Sequence, residues 1–165
     1  MTRSCAPELD VVVESERWPA DAGAIVRRAI MQAAQDVARD VAGRATAILL
    51  TDDAAIRELN ARFRGIDKPT NVLSFPAPPS DPAGALGDIA IAFETTAREA
   101  ALADKPLAHH LSHLAVHGFL HLIGYDHAED AQAEEMELLE RRILGRLGVP
   151  DPYAQEASLS ENAQA

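Results

Sequence analysis

Cysteine, aromatic residues, long apolar runs and basic charge are all scarce in this chain, and each scarcity narrows what it can be. Cys5 is the one cysteine among 165 residues, so no internal disulfide can form and a reducing cytoplasm is the expected location. No apolar run approaches the roughly 18 residues needed to cross a bilayer, so no membrane partner is expected. The stretch Met1–Leu9 also lacks the apolar centre of a secretion signal. Aromatics make up 4% of a chain that is 47% hydrophobic, which leaves Ala, Val, Ile and Leu to build the core. The net charge of −11 works against a nucleic-acid partner, because binding phosphates draws on a basic surface. Only a local basic patch can offset it.

The length suits one domain, expected over residues 1–150, with the polar, Ala-rich stretch 151–165 as a disordered tail. LDVVVE, Leu9–Glu14, reads as a first strand. Ile25, Ala29, Ala33, Val37 and Val41 are spaced for one buried helical stripe, which Gly43 would end. ATAILL, Ala45–Leu50, is an apolar run suited to a strand buried on both faces. Thr51 can cap a helix that runs through Ile56, Leu59 and Phe63 to a stop at Gly65. Asn71–Phe75 and Leu86–Phe93 predict two more strands, joined as a hairpin across the Pro-rich loop Pro76–Gly84. Helices are predicted over Glu94–Ala103, from Pro106 to Ile123, and over Ala128–Leu147. In the last of these Met136, Leu139, Ile143 and Leu147 face inward, while its acids, Glu140 among them, read as a solvated face. The order βαβαββααα predicts an α/β (or α+β) fold: a small sheet of about four strands, mostly parallel, covered by about five helices. The strand order is left open.

All six histidines lie between His109 and His127. On the helix from Pro106, residues four apart share a face about 6 Å apart along the axis, so His113, His117 and His121 form a stripe. Their neighbours are apolar nearly all round, so the helix is a buried one and its imidazoles need partners inside the protein. Gly124 lets the chain turn back, carrying Tyr125, Asp126 and His127 past the open side of the pair. The run HGFLHLIGYDH therefore has the spacing H-x3-H-x5-H. Three neutral imidazoles leave a fourth position of a tetrahedral zinc ion exchangeable, the form of a catalytic rather than a structural site. One Zn2+ per chain on His117, His121 and His127 is the expectation; the competing reading is core histidines bonded to backbone carbonyls. His113 is not expected to be a ligand, since a fourth would close the site, and His109 and His110 read as surface residues. Gly118 stands where an H-E-x-x-H protease carries its general base, and it cannot take a proton.

These residues resemble the signature of the YbeY family of metal-dependent hydrolases. The likeness extends to LNARFRGIDKPTNVLSFP, Leu59–Pro76, and to LGDIAI, Leu86–Ile91, and covers the chain from about Ala45 to Leu147. By that resemblance His117, His121 and His127 are the zinc ligands, and Arg64 is the arginine beside the metal cleft. Asn71 stands where many relatives carry Asp. The resemblance implies cleavage of single-stranded RNA, maturation of the small-subunit ribosomal RNA 3′ end and ribosome quality control, with ribosomal RNA and the small subunit as partners. Arg57, Arg62, Arg64 and Lys68 form the densest basic patch of the acidic chain, and Arg64 suits a bidentate phosphate contact. Asp88 is a candidate for bonding a backbone group or supporting a zinc-bound histidine, Asp126 for the same support, Tyr125 for packing or chemistry, and Thr70 and Ser74 for orienting substrate or capping a turn. Two other readings stand beside a zinc-dependent ribonuclease. One is a zinc hydrolase of a non-RNA substrate; the other is a non-catalytic ribosome-assembly factor with structural zinc.

Overall fold

The computed structural model describes residues 6–154; Cys5 and the stretch 155–165 lie outside the described residues. Its elements are β1 (Glu8–Val13), α1 (Ala22–Asp36), β2 (Ala45–Thr51), α2 (Asp53–Arg64), β3 (Val72–Pro76), β4 (Gly87–Ala92), α3 (Phe93–Leu102), α4 (Leu107–Leu122) and α5 (Asp130–Arg146). Four strands, five helices and the alternation of the two bear out the α/β expectation. The sheet order is β1-β2-β4-β3. β1, β2 and β4 run parallel, while β3 returns antiparallel along β4 and pairs Ser74 with Ile89. No helix among the described residues is long and apolar enough to cross a membrane.

Alternation along the strands divides the core in two. Ile48, Leu50, Ile89 and Ile91 face α1 and α4 in the larger cluster, which also holds Phe119, Leu120, Met136 and Ile143. Leu73, Ala90 and Ala92 face the other way and meet Ile56 of α2 in a smaller one. α4 lies close against the sheet because Gly118 offers no side chain. A Cβ there would stand 3.0 Å from Ile89 Cγ2 and 3.2 Å from Val72 Cγ2. The position that carries the general base in H-E-x-x-H enzymes therefore faces the sheet.

Local departures from expectation have physical causes. The cap of α2 is Asp52, whose carboxylate accepts from Ala55 N at 2.8 Å, while Thr51 is spent as the last residue of β2. Gly65, at φ 71°, ends the helix as expected. α1 stops at Asp36, well before Gly43, because Val37 turns to extended backbone; Val37 and Val41 nevertheless stay in the core.

Candidate metal centre

α4 projects His113, His117 and His121 from one face, and the turn after it brings His127 back beside them. Two contacts shape that turn. Gly124 adopts φ 101°, a backbone open to glycine, and Tyr125 N donates to Leu120 O at 3.0 Å. Arg39, from the segment after α1, donates to Ile123 O at 2.6 Å and lies 4.6 Å from the centroid of the Tyr125 ring. A side chain at residue 124 would collide with that guanidinium at 2.9 Å.

His117, His121 and His127 each offer a ring nitrogen, and these atoms all lie within 4.8 Å of one another. His117 Nε2 and His121 Nε2 are 3.1 Å apart. Two nitrogens bound at zinc distances of about 2.0–2.1 Å in a tetrahedral site stand roughly 3.3–3.4 Å apart, so this pair needs little movement to share one ion. Burial pushes the His121 imidazole below its ordinary pKa, and the nearby His117 and His127 push it further, against Asp126 and a Tyr125 backbone hydrogen bond. A neutral ring is the form that binds a cation. The donor set therefore fits zinc.

The trio opens onto a cavity of about 480 Å³ that Arg64, Asn71, Ser74, Tyr125 and Asp126 help to line. Of the four cations in the basic patch, Arg64 alone reaches it: its Nη2 donates to Ser74 O at 3.1 Å, across the exposed edge of β3. Arg57 is paired with Asp67 at 2.7 Å, and Arg62 lies 5.4 Å from the Phe63 ring centroid. Ser74 Oγ donates to Gly118 O at 2.9 Å, which ties β3 to α4 rather than offering the hydroxyl to the cavity. The Asn71 amide is held twice, accepting from Val72 N at 2.7 Å and donating to Glu99 Oε1 at 2.9 Å. Asp126 Oδ1 accepts from His127 N at 2.8 Å and so shapes the turn.

Three sequence expectations are corrected by the packing. His110 is buried at 8% exposure, with Nε2 2.9 Å from Glu99 Oε1, and is not a surface residue. Asp88 is exposed on the side of β4 away from the histidines, beside Leu49, Phe63 and Phe75, and supports none of them. Glu140, read as part of a solvated face, is 1% exposed. Its carboxylate lies 2.6 Å from His113 Nε2, 3.0 Å from His117 Nδ1 and 2.7 Å from Tyr153 Oη. Burial raises its pKa, but the hydrogen bonds from His113 and His117 outweigh burial and hold it at about 2. Glu140 is the residue the sequence reading missed. Its signal was its place on the stripe of Met136 and Ile143, both fully buried.

The family model described as Endoribonuclease YbeY matches residues 12–148, a span that contains Arg64, Glu140 and the histidine trio. An Endoribonuclease YbeY from Nitrobacter winogradskyi is 58% identical over 163 residues, covering 93% of this chain and 86% of its own length. Another, from Rhodopseudomonas palustris, is 57% identical over 164 residues, covering 94% of this chain and 98% of its own. A solution structure of a Thermotoga maritima protein shares the fold, with TM-score 0.55 and 23% identity over 84% of this chain and 91% of that one. With the family model matching residues 12–148 and relatives 57–58% identical over more than nine-tenths of its length, the chain belongs to the Endoribonuclease YbeY family.

Proposed function

We propose that this chain is a zinc-dependent endoribonuclease that hydrolyses phosphodiester bonds in single-stranded RNA. Its place is the maturation of the small-subunit ribosomal RNA 3′ end and ribosome quality control in the cytoplasm. The observation that carries this reading is the convergence of three imidazoles and one guanidinium on a single open cavity, in a chain of that family. His117, His121 and His127 hold one Zn2+. The bound ion supplies Lewis-acid charge at the phosphoryl group. Arg64 places a fixed positive charge in the same cavity, where it meets the non-bridging oxygens as negative charge grows on them. Gly118 and Ser74 keep α4, which carries two of the histidines, close to β3, on which Arg64 rests.

The net charge of −11 fits this role when the RNA is presented by the small ribosomal subunit rather than captured from solution. A chain with weak affinity of its own then cuts where docking brings RNA to the cavity, which limits cleavage elsewhere.

Elemental analysis and cleavage of a single-stranded RNA substrate test the reading together. The wild type is expected to carry about one zinc per chain, and His121→Ala to lose both metal and cleavage. Arg64→Glu should keep the metal and lose cleavage roughly 100-fold or more, the scale of removing one charge-stabilising group. Normal cleavage by metal-free His121→Ala protein would overturn the proposal.

A further inference from the structure

Glu140 comes from α5, lies behind the trio and does not line its cavity. An ionised carboxylate only accepts hydrogen bonds, so each group facing it must present a hydrogen. Its three partners are His113, His117 and Tyr153. That requirement assigns the rings. His117 carries its hydrogen on Nδ1, which leaves the Nε2 lone pair directed at His121 Nε2, 3.1 Å away. His113 carries its hydrogen on Nε2, which leaves a bare lone pair on its buried Nδ1, an atom with no hydrogen-bond partner among the described residues. Buried acceptors are left short of partners more often than buried N–H groups are, so the assignment also puts the orphan atom in its cheaper state.

The atoms His113 Nε2, His117 Nδ1 and Glu140 Oε also lie close enough together to suggest a second cation site. Both nitrogens already stand at 2.6 and 3.0 Å from the carboxylate. A cation there would have to displace both hydrogens and make His117 bridge two ions. The hydrogen-bonded arrangement is self-sufficient without one.

We propose that Glu140, braced by His113 and Tyr153, is the positioning residue that makes His117 a metal ligand. It holds the imidazole in one tautomer and one orientation, and its negative charge strengthens the nitrogen that faces the cavity. The inference rests on the trio holding zinc, as proposed above. Tyr153 lies beyond the residues 12–148 that the family model matches, although relatives aligned over 97% of this chain extend across it. The hydroxyl is delivered by the turn after α5, which folds back over the carboxylate.

Zinc affinity, measured by competition with a chromophoric chelator, and the ring-nitrogen NMR signals of the metal-free protein test this in the full chain. Glu140→Gln should bind zinc roughly 10- to 100-fold more weakly, the range for losing a partner of a liganding histidine. Tyr153→Phe, which removes one hydroxyl and leaves the carboxylate and the fold in place, should weaken zinc binding in the same direction by less. The wild-type spectrum should place the His117 hydrogen on Nδ1, and Glu140→Gln should shift that signal. If Glu140→Gln does not fold, Tyr153→Phe and the wild-type spectrum still decide. Wild-type protein that takes up zinc while both variants bind it equally well overturns this proposal and leaves the metal reading intact. A His117 hydrogen found on Nε2 overturns it as well. Wild-type protein that takes up no zinc overturns the metal reading itself, and this proposal with it.

Discussion

α4 carries two sets of imidazoles that look alike in sequence and differ in what their ring nitrogens face, although His113 and His117 share Glu140. His117 and His121, with His127 from the turn, face one another across a cavity, with ring centroids 4.6 to 5.8 Å apart. His110 and His113 each face a carboxylate, at 2.9 Å from Glu99 and 2.6 Å from Glu140. The difference is one of unmet need. An imidazole that meets a carboxylate and no facing lone pair has its partner and contributes to the fold; His117 meets Glu140 through Nδ1 yet turns Nε2 towards His121, and nitrogens opposite one another share a surplus of lone pairs that a cation can satisfy. Burial lowers the pKa of His110 against the pull of Glu99, and it lowers that of His121 with the help of two neighbouring histidines.

The sharpest way to break the comparison is to exchange the consequences of the two sets. His127→Ala removes an exposed side chain from the cavity set. It should abolish stoichiometric zinc in elemental analysis while moving folding stability by no more than about 0.5 kcal/mol, as surface substitutions do. Acid titration probes the carboxylate side in metal-free protein. The folded pKa of Glu140, about 2, lies below its ordinary 4.5, so the stability it supplies is complete above about pH 4.5 and is lost as pH falls towards 2. Urea melts at pH 5 and pH 3 should show a loss in the wild type that Glu140→Gln lacks. The smallest effect on metal content is expected for His110→Ala, which should cost about 1–3 kcal/mol in a urea melt, the scale of a lost buried hydrogen bond, and leave zinc content unchanged. Loss of zinc in His110→Ala would erase the distinction.

The parts of this molecule written in short-range patterns were readable from sequence. Helical spacing brings His117 and His121 together, glycine at residue 124 turns the chain, and the Pro-rich loop closes the β3–β4 hairpin. The order β1-β2-β4-β3 depends on parallel pairing between distant segments, and no local signal specifies it. Glu140 was grouped with the acids around it although it occupies an inward position between Met136 and Ile143; its charge type outweighed its register. Asp88 shows the converse. Ile89 faces the core, so strict alternation already pointed Asp88 the other way. His110 reads as a surface residue in sequence because its partner, Glu99, comes from α3, beyond any pattern within α4.

The Arg39 clamp has a consequence for the order of events during folding. His117 and His121 become neighbours as soon as one turn of α4 forms, a contact closed within five residues. The turn that carries His127 is held by Arg39 on Ile123 O, a contact spanning 84 residues, which forms only when the segment after α1 has docked. A chain still folding can offer an ion two nitrogens; the third arrives with the tertiary structure. If the trio holds an ion as proposed, tight capture is thereby reserved for chains that have already folded.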